Sequence, residues 1–169
     1  MKGSPVRYVL DANVFMEAAR RYYAFDIAPS FWQALVQHAQ AGTVLSIDRV
    51  KNEINKGRDE LRNWANNDFS TCFSSTYDDF VINTYRQVIR WAYSQSQFSD
   101  AAKAEFASDD NADAWVVAYA MARSCVVVTH EQLKPGIRHR VPISNVCQAF
   151  GIPYVDTFEM IRALGVRLG

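Results

Sequence analysis

The sequence predicts an α/β protein with a small central parallel sheet flanked by helices. Two observations carry that prediction. Short β-prone apolar runs alternate with longer stretches of helical periodicity along the whole chain, as in a parallel sheet joined by helical crossovers. The run Cys125-Val126-Val127-Val128-Thr129 is almost continuously apolar, the character of a strand covered on both faces. The 169 residues suit one domain with a sizeable core, and no repeat, low-complexity tract or linker divides residues 1–169.

Residues 6–10 read as a buried strand and 14–23 as the helix after it. Over 28–41 the helical pattern is clearer. Ser30 and Gln33 have capping-box spacing, Phe31, Leu35 and Ala39 form a stripe, and Gly42 stops the helix. Residues 43–47 form the second strand. Asp48 is the expected N-cap of the next helix, with Val50, Ile54 and Leu61 on one face. The Asn-, Ser- and Thr-rich stretch 66–76 is a loop with room for a short strand. A long helix is expected over 77–93, with Val81, Tyr85, Val88 and Ala92 along one side. The polar segment 94–108 holds some helix near 101–106, and 109–123 is a strong helix. Strand 125–129 leads into a loop over 130–142 that carries Lys134, Arg138, His139 and Arg140. A helix over 143–150, a strand near 154–155 and a last helix complete the chain. Asp156 and Glu159 have capping-box spacing in that helix, and Gly165 ends it.

Composition narrows the function classes. Hydrophobic residues are 49% and charged residues 21%, which argues against a disordered chain. Lys plus Arg and Asp plus Glu both number 18, so any polyanion binding must come from a local patch. Cys72, Cys125 and Cys147 are an odd set without close spacing, neither a disulfide frame nor a zinc site. Cys125 and Cys147 sit in apolar contexts and are expected in the core. The opening apolar run, after Met1-Lys2-Gly3-Ser4-Pro5, is broken by Asp11. It is too short for a signal peptide or a membrane span, so a cytoplasmic protein with no membrane partner is expected.

Four carboxylates stand at comparable places. Asp11 follows the first strand, Glu53 lies early in the helix after the second, Asp113 enters an Ala-rich helix, and Glu131 comes just past the best strand. Each has a structural explanation by itself: a helix cap, a charge near a helix N-terminus, or a solvated loop residue. Together they are placed at one sheet edge by separate secondary-structure assignments. Acids that cannot neutralise one another capture a hard cation, which takes oxygen ligands and tolerates waters. Such a metal polarises phosphoryl oxygens and lowers the pKa of a bound water.

These stretches carry a resemblance. Val9-Leu10-Asp11-Ala12-Asn13-Val14-Phe15 resembles the opening strand and acid of the PIN-domain nucleases, and Ile47-Asp48-Arg49-Val50-Lys51-Asn52-Glu53-Ile54 resembles their second motif. Asp113-Ala114-Trp115-Val116-Val117-Ala118-Tyr119-Ala120 is similar to the third, and Val126-Val127-Val128-Thr129-His130-Glu131 to the fourth. The tail from Ile143 to Met160 resembles a bacterial branch related to toxin ribonucleases of the VapC kind. The resemblance implies a PIN-like three-layer α/β/α fold and a metal-dependent endoribonuclease. Asp11, Glu53 and Asp113 would hold Mg²⁺ or Mn²⁺, with Glu131 as a fourth acid where many members carry Asp. Thr129 and Asn13 would orient a ligand carboxylate or a metal-bound water. A metal-activated water would attack the phosphate in line, leaving a 5′-phosphate and a 3′-hydroxyl. RNA is the implied substrate and an antitoxin protein the implied partner, and the chain could pair with a second copy of itself. The segment between Glu53 and Asp113 is longer than the family pattern and could reshape substrate access or a partner surface.

Arg20-Arg21, Lys51, Lys56-Gly57-Arg58 and the 134–140 loop could contact phosphates, or form an ordinary solvated surface. Tyr22 and Tyr23 could stack bases, whereas Trp32 is expected in the core. His38, His130 and His139 share no metal-ligand spacing. A dehalogenase-type phosphatase would need Asp where Asn13 stands, and a dinucleotide-binding enzyme a Gly-rich turn that is missing. The rival reading is a PIN-like module that binds nucleic acid or protein without catalysis, its acids serving as caps.

Overall fold

A computed structural model of the protein describes residues 5–168; the opening residues 1–4, read above as the lead into the first strand, lie outside the described residues. Five strands form one parallel sheet: β1 (Tyr8–Leu10), β2 (Val44–Ile47), β3 (Phe73–Ser74), β4 (Val126–Val128) and β5 (Tyr154–Val155), in the spatial order β3-β2-β1-β4-β5. The chain steps from β1 outward to one side through β2 and β3, then returns to the other side of β1. The strand order therefore reverses between β1 and β4, the place where open α/β sheets bind ligands beyond the carboxyl ends of their strands. The register sets Leu10 beside Val128 and Val128 beside Val155, so Asp11, Thr129 and Asp156 leave the sheet along one edge.

The helices are α1 (Ala12–Glu17), α2 (Pro29–Gln40), α3 (Asp48–Asn55), α4 (Glu60–Asn67), α5 (Asp79–Ser94), α6 (Asp100–Phe106), α7 (Asp113–Arg123), α8 (Ile143–Phe150) and α9 (Thr157–Ala163). α7 is apolar all round, and Ala114 through Ala120 are buried without interruption, so this helix lies inside the protein. Thr84 on α5 donates its hydroxyl to the Ala118 carbonyl at 2.9 Å, fastening the long amphipathic helix to the buried one. An aromatic cluster of Phe15, Trp32, Trp64 and Phe69 fills the core near α1, α2 and α4. Trp32 is buried there with its Nε1 donating to Tyr23 O at 2.7 Å, and Cys125 and Cys147 are buried too. Among the described residues no helix is long and apolar enough to cross a membrane.

Several local expectations change. The helix expected over 14–23 starts at Ala12, because the Asp11 side chain caps the Val14 amide, and then widens into a π-helical turn over Ala18–Tyr22. Ser30 does not cap α2. Proline stands at the first helical position, where an amide would have had no intrahelical partner. Asp48 is the first residue of α3, not its cap. Its carboxylate accepts from the Arg49 amide and from Thr76 N and Oγ1, tying the end of β2 to the segment after β3. Leu61 lies on the separate helix α4, for the chain turns at Gly57 and restarts on the Asp59 cap. Asp109 and Asp110 fall in a turn closed by Ser108 and Asn111, so the helix expected from 109 starts at Asp113. The Asp156–Glu159 capping box forms as read, and Gly42 and Gly165 adopt positive φ beyond the helices they stop.

Candidate metal centre

Asp11 is the best-fixed acid. It follows β1, its amide donates to the Val128 carbonyl at 3.1 Å, and only 1% of its surface is exposed. Oδ1 accepts the Val14 amide at 3.0 Å and Oδ2 accepts the Thr129 hydroxyl at 2.7 Å. The structural reading of Asp11 as a helix cap thus holds, without using up the lone pairs of either oxygen. Thr129, one residue past β4, also accepts the Glu131 amide at 3.2 Å. A short relay therefore joins Glu131, Thr129 and Asp11 across the point where the strand order reverses.

Glu53 reaches the site from α3, and its Oε1 accepts the Ala112 amide at 2.8 Å. That bond brings α3 against the start of α7 and sets Asp113 beside it. The Asp113 amide is held by Asn111 Oδ1 at 2.9 Å. Among the described residues no donor reaches the Asp113 carboxylate within hydrogen-bond distance.

The electrostatics tie the four acids together. Burial pushes the Asp113 carboxyl well above the usual carboxylate range, and the charges of Asp11, Glu131 and Glu53 push it further, against Arg140. Burial raises Asp11 to about 7, with the Glu131 charge adding to it and the Thr129 and Val14 hydrogen bonds opposing. Burial also raises Glu53, opposed by the Ala112 amide and Lys56. The Cys147 thiol is pushed up to about 12 by burial and by the charges of Glu131 and Asp11, so it is an inert wall.

Glu131 is engaged differently. Its Oε1 accepts from Arg140 and its Oε2 accepts the amide of Ile143, the first residue of α8. Among the described residues no three His, Cys, Asp or Glu side chains are drawn tightly enough to hold a metal as they stand. Glu53 and Glu131 are turned toward backbone amides and Arg140 instead. The donor set nevertheless fits a hard divalent cation: carboxylate oxygens, no thiolate or imidazole among them, with Asp11 and Asp113 raised by burial and then by neighbouring carboxylate charge. Sequence spacing gave no hint of Arg140 as counter-charge, since it lies in an irregular loop and meets Glu131 only through tertiary folding. Arg140→Ala should destabilise the metal-free protein by about 2 kcal/mol, between the exposed and buried limits for an ion pair, because Glu131 and Asp113 lose their nearby cation. Urea unfolding in EDTA measures this.

A cleft of about 390 Å³ opens beside these acids, lined by Asn13, Glu17, Tyr22, Glu131, Lys134 and Arg140 among others. Asn13 faces this cleft, and it reaches Asp11 through its backbone amide. On the other side Arg20 and Lys56 share a recess of about 240 Å³ with Glu53. His130 is not free in its loop: its Nε2 lies 2.9 Å from Thr157 Oγ1.

The fold is PIN-like α/β/α, as the resemblance implied. The chain belongs to the family described as "Domain of unknown function (DUF4411)", whose model matches residues 8–168. Among solved structures it is similar to VapBC2 from Rickettsia felis, bound to a DNA fragment from their promoter. That match has 13% identity and a TM-score of 0.52, over 89% of this chain and 98% of the other. It is also similar to FitAcB from Neisseria gonorrhoeae, with 16% identity and a TM-score of 0.52 over 87% of this chain and 95% of the other. No curated protein matches the sequence.

Proposed function

We propose that the protein is a metal-dependent endoribonuclease of the PIN kind, the toxin member of a toxin–antitoxin pair. The observation that carries this reading is geometric: Thr129 joins Asp11 to Glu131, and Glu53 bonds the Ala112 amide beside Asp113, next to the strand-order reversal. Asp11, Asp113 and Glu53 would hold Mg²⁺ or Mn²⁺, with Glu131 the fourth acid. When bound, such a cation neutralises charge on the phosphoryl group and lowers the pKa of water. Thr129 fixes the Asp11 carboxylate through its 2.7 Å hydrogen bond, and the Val14 amide fixes the other oxygen. Lys134 and Arg140 meet the phosphate from the cleft wall, and Asn13 presents a polar group at its mouth.

The likeness in fold to VapBC2 and FitAcB supports an antitoxin protein as partner, and co-purification with the product of the neighbouring reading frame tests it. The cleavage test is direct. Purified protein should cut RNA in Mn²⁺ and stop when EDTA is added, whereas equal cutting in EDTA would overturn metal dependence. One observation favours a second reading, a binding module without catalysis. Glu53 and Glu131 already accept backbone amides, as structural acids would. Under that reading, neither metal nor the acids would matter for RNA integrity in this assay.

A further inference from the structure

Tyr22 is the last residue of the π-helical turn Ala18–Tyr22, and 48% of its surface is exposed. A π turn adds one residue to the helix, which rotates the following side chains by about 100° relative to an α-helical continuation. Here it sets the Tyr22 ring in a corner with two others. The His130 ring lies 5.8 Å away and the Phe158 ring 5.6 Å away, edge-on. The two rings behind it are fixed, His130 by Thr157 and Phe158 by packing on Tyr23. Tyr22, His130, Glu131 and Gln132 line both the cleft of about 390 Å³ and a neighbouring one of about 490 Å³ that runs over Phe158. The volumes are those of a small-molecule subsite, enough for a nucleotide.

Lys134 and Arg140 line the first cleft together with the Tyr22 and His130 rings, beside Glu17 and Glu131. Asp156 and Glu159 line the second, so the cations of this surface lie on the first. Lys134 is exposed, but its backbone is clamped in both directions by the Asn145 side chain, at 2.9 and 2.8 Å. Arg140 spends one Nη on Glu131 and keeps other N–H donors. A cation pair beside a stacking corner matches a phosphate joined to a base. Bases inside an A-form duplex are stacked on their own neighbours and offer no open face.

We propose that this cleft is a subsite for single-stranded RNA, in which one nucleobase stacks on Tyr22 while Lys134 and Arg140 hold the adjoining phosphate. The proposal rests on the ribonuclease reading and names the substrate class of that same site. Fluorescence anisotropy with a labelled single-stranded oligoribonucleotide of roughly ten nucleotides, in EDTA so that nothing is cut, tests it. Wild-type protein should bind the single strand more tightly than the same sequence as a duplex. Tyr22→Ala should weaken binding roughly tenfold, and Tyr22→Phe, which keeps the ring, should not. Lys134→Ala should lower the slope of log affinity against log salt by about one. Unchanged melting temperatures confirm that these exposed positions leave the fold intact. Equal affinity of wild type and Tyr22→Ala, or preference for the duplex, overturns the subsite. Cutting of RNA without measurable binding in EDTA overturns the subsite alone. Absence of both binding and cutting overturns the ribonuclease reading with it.

Discussion

Asp113→Asn should abolish Mn²⁺-dependent RNA cleavage and, at pH 8 in EDTA, raise the melting temperature. The two effects have one origin. Asp113 is buried beside Asp11, Glu131 and Glu53, and their charges oppose its own. Asparagine has nearly the same shape without the charge, so the repulsion goes and the metal-free fold gains. The same change removes a proposed ligand, and even residues that only support ligands cost about 10–100-fold when altered, so the loss of activity should exceed about 100-fold. Mn²⁺ should raise the melting temperature of wild type and leave that of Asp113→Asn almost unmoved. A destabilised variant with normal metal response would mean that Asp113 is a packing residue.

Metal-free protein should lose stability as the pH rises from 5 to 8. Asp11 has its pKa raised from 3.8 to about 7 by burial. A group raised in the folded state binds its proton there more tightly than in the unfolded chain. Its contribution is fully present below the unfolded pKa and is lost as pH rises through the folded one. The shift corresponds to a loss on the order of 4 kcal/mol between those limits. Glu53 and Asp113 are raised as well and act in the same direction. Asp78 is lowered, chiefly by the amide it caps, but that contribution falls away only in acid, outside this window. Melting curves in EDTA at several pH values measure the slope. Asp11→Asn should flatten it, and saturating Mn²⁺ should reverse it, because a cation compensates the ionised carboxylates. A flat curve for wild type would contradict the account of Asp11 as a stressed buried acid.

Some of this was legible in the sequence because local chemistry decides it. The runs around Val9 and Val127 are continuously apolar, as strands covered on both faces are, and their ends set Asp11 and Thr129 at the sheet's edge. The Asp156–Glu159 capping box and the Gly165 stop depend on neighbours within one turn, and both form as read. What was not legible depends on distant partners. Asp48 looked like a cap, but Thr76, far along the chain, holds its carboxylate. Ser30 had the spacing of a capping box, but Pro29 beside it starts the helix without one. Glu131 read as a solvated acid or a ligand, and its Arg140 partner and the Ile143 amide exist only once the 130–142 loop has folded back. The π turn that aims Tyr22 has no periodicity of its own to read.

Acids from four distant segments are proposed to share a cation, and crystals soaked in Mn²⁺ and measured for anomalous scattering would reveal it. An anomalous peak should be bounded by the carboxylates of Asp11 and Asp113, with Glu53 turned toward it, and no such peak should appear in crystals of Asp113→Asn. Soaked crystals without a peak at these acids, or with the peak unchanged in Asp113→Asn, would contradict it.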